Sequence, residues 1–312
     1  MLHDPDRRLA RACLAGARRG LGTAWFLTRI IVPLSAVVAA LQFTGGLAWL
    51  GRILAPAMSL FGLPGEAAVA LVSGALVGVY GAIAVASSIP LSGVQMTVLA
   101  LMVLTAHNLV VESAVQGRSG TSGMRMALLR IAGAVVLGGL LWQLLRHGEQ
   151  GTVVVQSLAG PADLSLAAFA SSWALGVALL LLKIYAIVVG LTIGTETMRA
   201  FGVFELLSRS LSPAMRFLAL SDSVALLWLT ATFLGLAFGA GLIIDESREP
   251  ARFRPGELRD FHVSVAISHS LLEDTLLFLA VGAHLTWILA PRPIAAALAV
   301  RVARRLRRPA AR

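Results

Sequence analysis

The chain has 312 residues, of which 57% are hydrophobic and 13% charged, with a mean hydropathy of +0.83 and a formal net charge of +10. A soluble domain carries about a quarter charged residues, so this chain has too little charge to coat a water-facing surface, and lipid is its better solvent. Cys13 is the only cysteine, which excludes an intrachain disulfide and cysteine-based zinc or iron–sulfur sites.

The positive charge is almost wholly arginine, since Lys183 is the only lysine. Arg7, Arg8, Arg11, Arg18 and Arg19 precede the first apolar stretch; Arg301, Arg304, Arg305, Arg307, Arg308 and Arg312 close the chain. Nucleic-acid binding needs a basic patch on a folded surface. Arginines that flank apolar spans read instead as cytoplasmic anchors against anionic headgroups, and no nucleic-acid partner is expected.

A helix needs about 20 apolar residues to cross a bilayer core. The first 20 residues lack the apolar core of a cleaved signal, so the stretch 24–44 is expected to act as an uncleaved insertion signal. After Gly45-Gly46, residues 46–63 are amphipathic and suit the interface. Pro64-Gly65-Glu66 reads as a helix start with an acid in the first turn. Candidate spans follow at 66–88, 95–115 and 126–145. Gly74, Gly78 and Gly81 let helices approach closely. Beyond the polar stretch 148–161 come a span at 167–194, a second amphipathic segment at 203–220, and a start at Ser221-Asp222-Ser223. Spans at 222–244, 260–281 and 284–303 complete the chain, the first two separated by the charged loop Asp245–Asp260.

The halves share a register. An ungapped offset of 157 places Leu50, Arg52, Leu54, Pro56, Ala57 and Met58 on Leu207, Arg209, Leu211, Pro213, Ala214 and Met215. After the longer charged loop the offset becomes 162, and His107, Glu112 and Ser113 fall on His269, Asp274 and Thr275. The expected fold class is therefore all-α, a polytopic membrane protein of about eight spans in two tandem repeats, residues 1–150 and 158–308. Internal duplication is common in transporters, whose solute site lies between the repeats. Four full spans per repeat make the copies parallel; if 66–115 is a re-entrant hairpin broken at Ser87-Ser88-Ile89-Pro90, three full spans make them inverted.

The paired H-x4-[ED]-[ST] elements carry the chemistry. Ionisable groups inside apolar spans are costly and are functional hypotheses by default. Imidazole with carboxylate suits a divalent cation, a proton relay or a polar solute; the bland alternative is that the pairs join helices. Positions five apart on an ideal helix diverge by about 140°, which argues against a site unless the helix unwinds or each carboxylate pairs with the other repeat. The candidate solute- or ion-binding residues are His107, Asn108, Glu112, His269, Glu273 and Asp274, with His107, Glu112, His269 and Asp274 as candidate metal ligands. Arg29 and Lys183, near-equivalent in register, read as snorkelling cations or as partners of an anionic solute group. No nucleotide-binding loop, metalloprotease, hydrolase or dinucleotide pattern occurs, so no enzyme activity and no cofactor are expected.

Phe61-Gly-Leu-Pro-Gly-Glu66, the glycine-rich span 74–82 and Ala106-His-Asn-Leu-Val-Val-Glu-Ser-Ala-Val115 together resemble the nucleoside-recognition, or Gate, domain. That family includes spore maturation membrane proteins, with related domains in concentrative nucleoside transporters and in the ferrous-iron permease. The resemblance covers roughly 25–145 and, through the repeat, roughly 183–305; the permease's cysteine-bearing motifs are absent. It implies a permease with a small-solute site between the repeats, a divalent-metal transporter, or a membrane scaffold for envelope assembly. The expected partners are the bilayer, a small polar solute or divalent cation, and a second copy or partner subunit. The expected location is the bacterial inner membrane with both termini cytoplasmic, and reporter fusions at residues 1 and 312 test this: both should report cytoplasm, and a periplasmic signal at either would overturn the orientation.

Overall fold

The computed structural model describes residues 5–147, 165–233, 235–238, 240–247 and 253–307. The expected boundary between residues 150 and 158 and the final residue of the second unit lie outside them. In chain order the first half gives α1 (Pro5–Phe43), α2 (Gly46–Met58), α3 (Ala67–Val77), α4 (Val79–Ala86), α5 (Gly93–Ala106), α6 (Leu109–Arg118) and α7 (Gly123–Leu145). The second gives α8 (Leu166–Ala200), α9 (Val203–Ser210), α10 (Ser212–Phe217), α11 (Ala225–Phe233), α12 (Gly235–Phe238), α13 (Ala240–Ser247), α14 (Glu257–Ile267), α15 (Glu273–Ala280), α16 (Leu285–Leu289) and α17 (Pro291–Arg307). The protein is an all-α, polytopic membrane protein.

Local chemistry sets several of these boundaries. Ser92 and Gln95 form a reciprocal capping box at the start of α5, while Ser122 and Ser165 accept from the third residue of α7 and α8; each cap satisfies an amide that the helix itself leaves unpaired. Among the described residues, five helical segments are long and apolar enough to cross a bilayer: 6–43, 93–118, 123–145, 166–200 and 285–307. At 39 residues α1 is about 58 Å long, nearly twice the hydrocarbon thickness, so its arginine-bearing first turns extend past the lipid.

The stretch 66–88 does not cross as one helix. Gly78, at φ 110°, turns the chain, and α3 and α4 fold back against each other: a Cβ built on Gly74 would meet that of Ala82 at 3.1 Å. A residue eight places along a continuous helix lies about 12 Å away, so α3–α4 is a helical hairpin. Its turn is at Gly78, ahead of the Ser87–Pro90 break that the sequence suggests. The close approach uses the glycines read as packing positions.

α1 and α8 run antiparallel. Cys13 lies beside Thr197, Arg19 pairs with Glu196, Thr28 bonds Tyr185, and Phe43 stacks on Phe169. α7 likewise runs back along α5 and α6, with Gly138 against Met102, Gly133 against Thr105 and Gly123 against Ser113. Buried side chains form two clusters. One gathers Ile31, Ile83, Leu99 and Leu104 beneath α1 and α8; the other gathers Phe261, Val265, Ala296 and Val300 where α14 meets α17.

Left-handed backbone recurs at the same two offsets. Gly45, Gly62 and Gly78 match Gly202, Ala219 and Gly235, 157 further on; Asn108 and Gly120 match Ser270 and Gly282, 162 further on. Ala219 takes this conformation with a Cβ, at a cost of roughly 1–2 kcal/mol, and its flank keeps the hydrogen bond seen in the first half: Leu63 N–H to Met58 O, Leu220 N–H to Met215 O.

The end of α1 that carries the N-terminal arginines adjoins the C-terminal end of α8. The start of α14 adjoins the ends of α6 and α17, where Gln116 Nε2 donates to His262 O at 3.0 Å and Asp260 pairs with Arg304 and Arg307. The helix order predicts a cross-link: Thr197→Cys should form a disulfide with Cys13 under oxidation, read by mass spectrometry of the joined peptides. Leu166→Cys, at the far end of α8, should not; the reverse pattern would exclude the antiparallel pairing.

Candidate functional site at two broken helices

α5 ends at Ala106 and α6 begins at Leu109; between them His107 is extended and Asn108 stands at φ 47°. α14 ends at Ile267 and α15 begins at Glu273, with Ser270 at φ 46°. Both breaks are tied by backbone bonds to a helix earlier in their half: Asn108 N–H donates to Gly74 O of α3 at 2.8 Å, and Ser270 and Leu271 N–H donate to Ala231 O and Thr232 O of α11 at 2.9 and 3.0 Å. Asparagine tolerates left-handed backbone well and serine less so; the cross-bond holds each in place. Asn108, expected among the binding residues, is thus placed at the hinge.

The breaks remove the angular objection to pairing residues five apart. His107 Nε2 lies 3.4 Å from Glu112 Oε1, 3.3 Å from Asp274 Oδ2 and 3.3 Å from His269 Nε2; His269 Nε2 lies 3.0 Å from Glu112 Oε2. The imidazole centroids are 4.9 Å apart. All four residues are at most 6% exposed, so they face the interior and not lipid. Each carboxylate reaches across to the other half: Glu112 touches both histidines, and Asp274 touches His107.

The histidine tautomers follow from their partners. His107 Nδ1 lies 3.2 Å from Val103 O and His269 Nδ1 lies 2.7 Å from Val265 O. A carbonyl oxygen only accepts, so each Nδ1 carries a hydrogen, and each neutral ring presents its Nε2 lone pair inward. With both rings neutral, two lone pairs and two carboxylates converge, an arrangement that accepts a cation or a hydrogen-bond donor. One ligand atom each from His107, Glu112 and His269 lies within 4.8 Å of the others, a spacing that suits a metal ion.

Two buried arginines hold the breaks. Arg130 Nε donates to Thr105 O at 3.1 Å and Nη2 to His107 O at 2.6 Å, while Nη1 lies 2.6 Å from Glu112 Oε2. Arg292 donates to His269 O through Nη2 and to Thr275 Oγ1 at 3.3 Å through Nη1. Carbonyls at a helix end have no partner within the helix, and in lipid each unsatisfied group costs several kcal/mol; a guanidinium meets several at once. Sequence reading passed over both residues, although Arg130 and Arg292 obey the same offset of 162 as the histidines. Glu273 lies beside the centre, where its Oε1 accepts a hydrogen bond from Tyr80 of α4. Tyr80 has no tyrosine counterpart in the register, since Ala237 stands there. Of the two near-equivalent cations, Arg29 lies over the Trp25 ring and Lys183 donates to Ala280 O at 3.2 Å; neither touches the four central residues.

The family model described as nucleoside recognition, named Gate, matches residues 24–116, from α1 through Glu112 of the centre. The uncharacterized membrane protein YvoD of Bacillus subtilis is 34% identical over 275 residues, covering 86% of this chain and 86% of the relative. The chain belongs to the Gate family. The inner membrane protein YjiG of Escherichia coli K12 is 39% identical over 98 residues, 31% of this chain and 57% of that protein. No solved structure matches the chain.

The Gate-family centre makes a stability prediction. Arg130→Met leaves Glu112 buried beside the histidines without its arginine, and breaking a buried pair costs roughly 3–5 kcal/mol. Thermal unfolding in detergent should fall markedly for Arg130→Met and recover in Arg130→Met/Glu112→Gln. An unchanged single variant would show that the pair does not stabilise the breaks.

Proposed function

We propose that the protein is a permease of Gate type, in which a small polar solute or cation occupies the centre formed by His107, Glu112, His269 and Asp274. The observation that carries this reading is the convergence of four costly polar groups from two broken helices on one buried point. Broken helices that meet near the middle of a bilayer are a recurrent way to build a transport site, since the interrupted backbone there lines a site and not lipid.

On this reading the chain is two Gate-like repeats, residues 1–150 and 158–308, related by inversion. The paired left-handed positions, the equivalent arginine bonds and the antiparallel α1–α8 pair support it. Three full spans per repeat, with α3–α4 as a hairpin, put both termini on one side, and the arginine bias makes that side cytoplasmic. Rocking of one repeat against the other alternately opens the centre to each side.

A second reading takes a divalent metal ion as the cargo. It is favoured by the two Nδ1–H groups fixed on backbone carbonyls, which leave both Nε2 lone pairs and Glu112 aimed at a common point. Purified protein in proteoliposomes, screened against nucleosides and divalent metals, separates the readings. His107→Ala and His269→Ala should each reduce uptake to background while the protein accumulates in the membrane. Normal uptake by both would exclude the centre as the site, and failure of both to accumulate would favour a purely structural role.

A further inference from the structure

A cavity of about 260 Å³ lies between α1, α8 and the start of α15. The exposed Arg19 and Arg199 with their partner Glu196 mark its rim, and Thr192, Thr195 and Glu273 line it. The rim lies at the end of α1 that carries the N-terminal arginines. Glu273 adjoins Asp274 in sequence, and Asp274 Oδ2 is 3.3 Å from His107 Nε2. The cavity and the centre are thus each lined by one of two consecutive residues of α15.

The charges differ in setting. Glu196 takes both rim guanidiniums, and the Arg19 and Arg199 side chains are 63% and 51% exposed. Water and salt screen exposed charges within about 10 Å. Glu273 is half-buried, and its carboxylate is held by the Tyr80 hydroxyl of the hairpin, so its field is less attenuated than that of the exposed rim guanidiniums. The other half offers no equivalent. In register, Val111 stands for Glu273, Ala39 for Glu196 and Gln42 for Arg199.

We propose that this cavity is a cation-selective approach to the centre from the face that bears the chain termini, with Glu273 as an outer station for the cation and Tyr80 as its positioning residue. The proposal rests on the reading of the centre as the place where cargo passes. A cation leaving water meets Glu273 first and then Asp274, Glu112 and the two imidazoles. The one-sided acid makes this face the side on which cations are selected.

The test uses charged thiol reagents and needs no identified cargo. In a Cys13→Ser background, Leu272→Cys places a thiol on the cavity wall next to Glu273. Membrane-impermeant trimethylammonium-ethyl and sulfonato-ethyl methanethiosulfonates are applied to oriented vesicles from each side. From the terminus face, the cation-to-anion rate ratio should exceed that on a free thiol by about tenfold, the equivalent of 1.4 kcal/mol of Coulomb preference. Glu273→Gln should return it to the free-thiol value, Glu273→Asp, which keeps the carboxylate, should retain it, and Tyr80→Phe, which frees the carboxylate from the hydroxyl that positions it, should lower it without abolishing it. A ratio equal to that of the free thiol, reaction from the opposite face alone, or a preference that survives Glu273→Gln would each overturn the proposal. The rates do not depend on transport, so they are read without any cargo. If the preference holds while the wild-type protein takes up no nucleoside or metal, the permease reading fails and the cation station stands.

Discussion

Lipid offers no partner to a polar group, and this constraint orders the structure around its two helix breaks. An interruption in an apolar span exposes carbonyl oxygens that would cost several kcal/mol each if left unpaired. Arg130 and Arg292 meet that requirement from neighbouring helices, each donating to the carbonyl of the histidine at its break. A buried guanidinium needs compensation in turn, and Glu112 provides it for Arg130 at 2.6 Å. Hinge, arginine and carboxylate are therefore one device, and the histidines sit where it leaves an inward-facing lone pair.

The glycines do complementary work. Gly78 turns the α3–α4 hairpin, and Gly74 accepts the amide of Asn108 while standing against Val103 of α5. A side chain at Gly74 would push the hairpin off α5 and lengthen the bond that anchors the break. Small residues thus allow a non-helical backbone at membrane depth by letting a second backbone come close enough to satisfy it. The same hairpin carries Tyr80 to Glu273, so any movement of α3–α4 is felt at the hinge and at the acid beside the centre.

Pseudo-equivalence of the halves is strong in the backbone and weaker in the side chains. Positions of left-handed backbone recur through both halves, and histidine and arginine recur at the breaks. Glutamate becomes aspartate, however, and Glu273 and Tyr80 have no counterparts. A structural frame shared by two halves must keep its turns and its carbonyl partners.

Composition and hydropathy pointed to lipid as the solvent and to the all-α class, because lipid-facing helices need long apolar stretches, and the matched register of prolines and glycines was visible in the sequence itself. The pairing of His107 with Glu112 and of His269 with Asp274 was legible as a recurrence. Its geometry was not, since an unbroken helix puts those side chains about 140° apart; with Asn108 and Ser270 left-handed and tied to Gly74 and Ala231, His107 meets both Glu112 and Asp274, while His269 meets Glu112 of the other half. Arg130 and Arg292 were visible in the same register yet looked like two more cations of an arginine-rich chain; their function depends on which carbonyls lie within reach. The fold-back at Gly78 and the contact between Tyr80 and Glu273 lie beyond any local pattern. They arise where distant segments meet, and the packing that brings α4 against α15 is a property of the assembled bundle and not of either stretch of sequence.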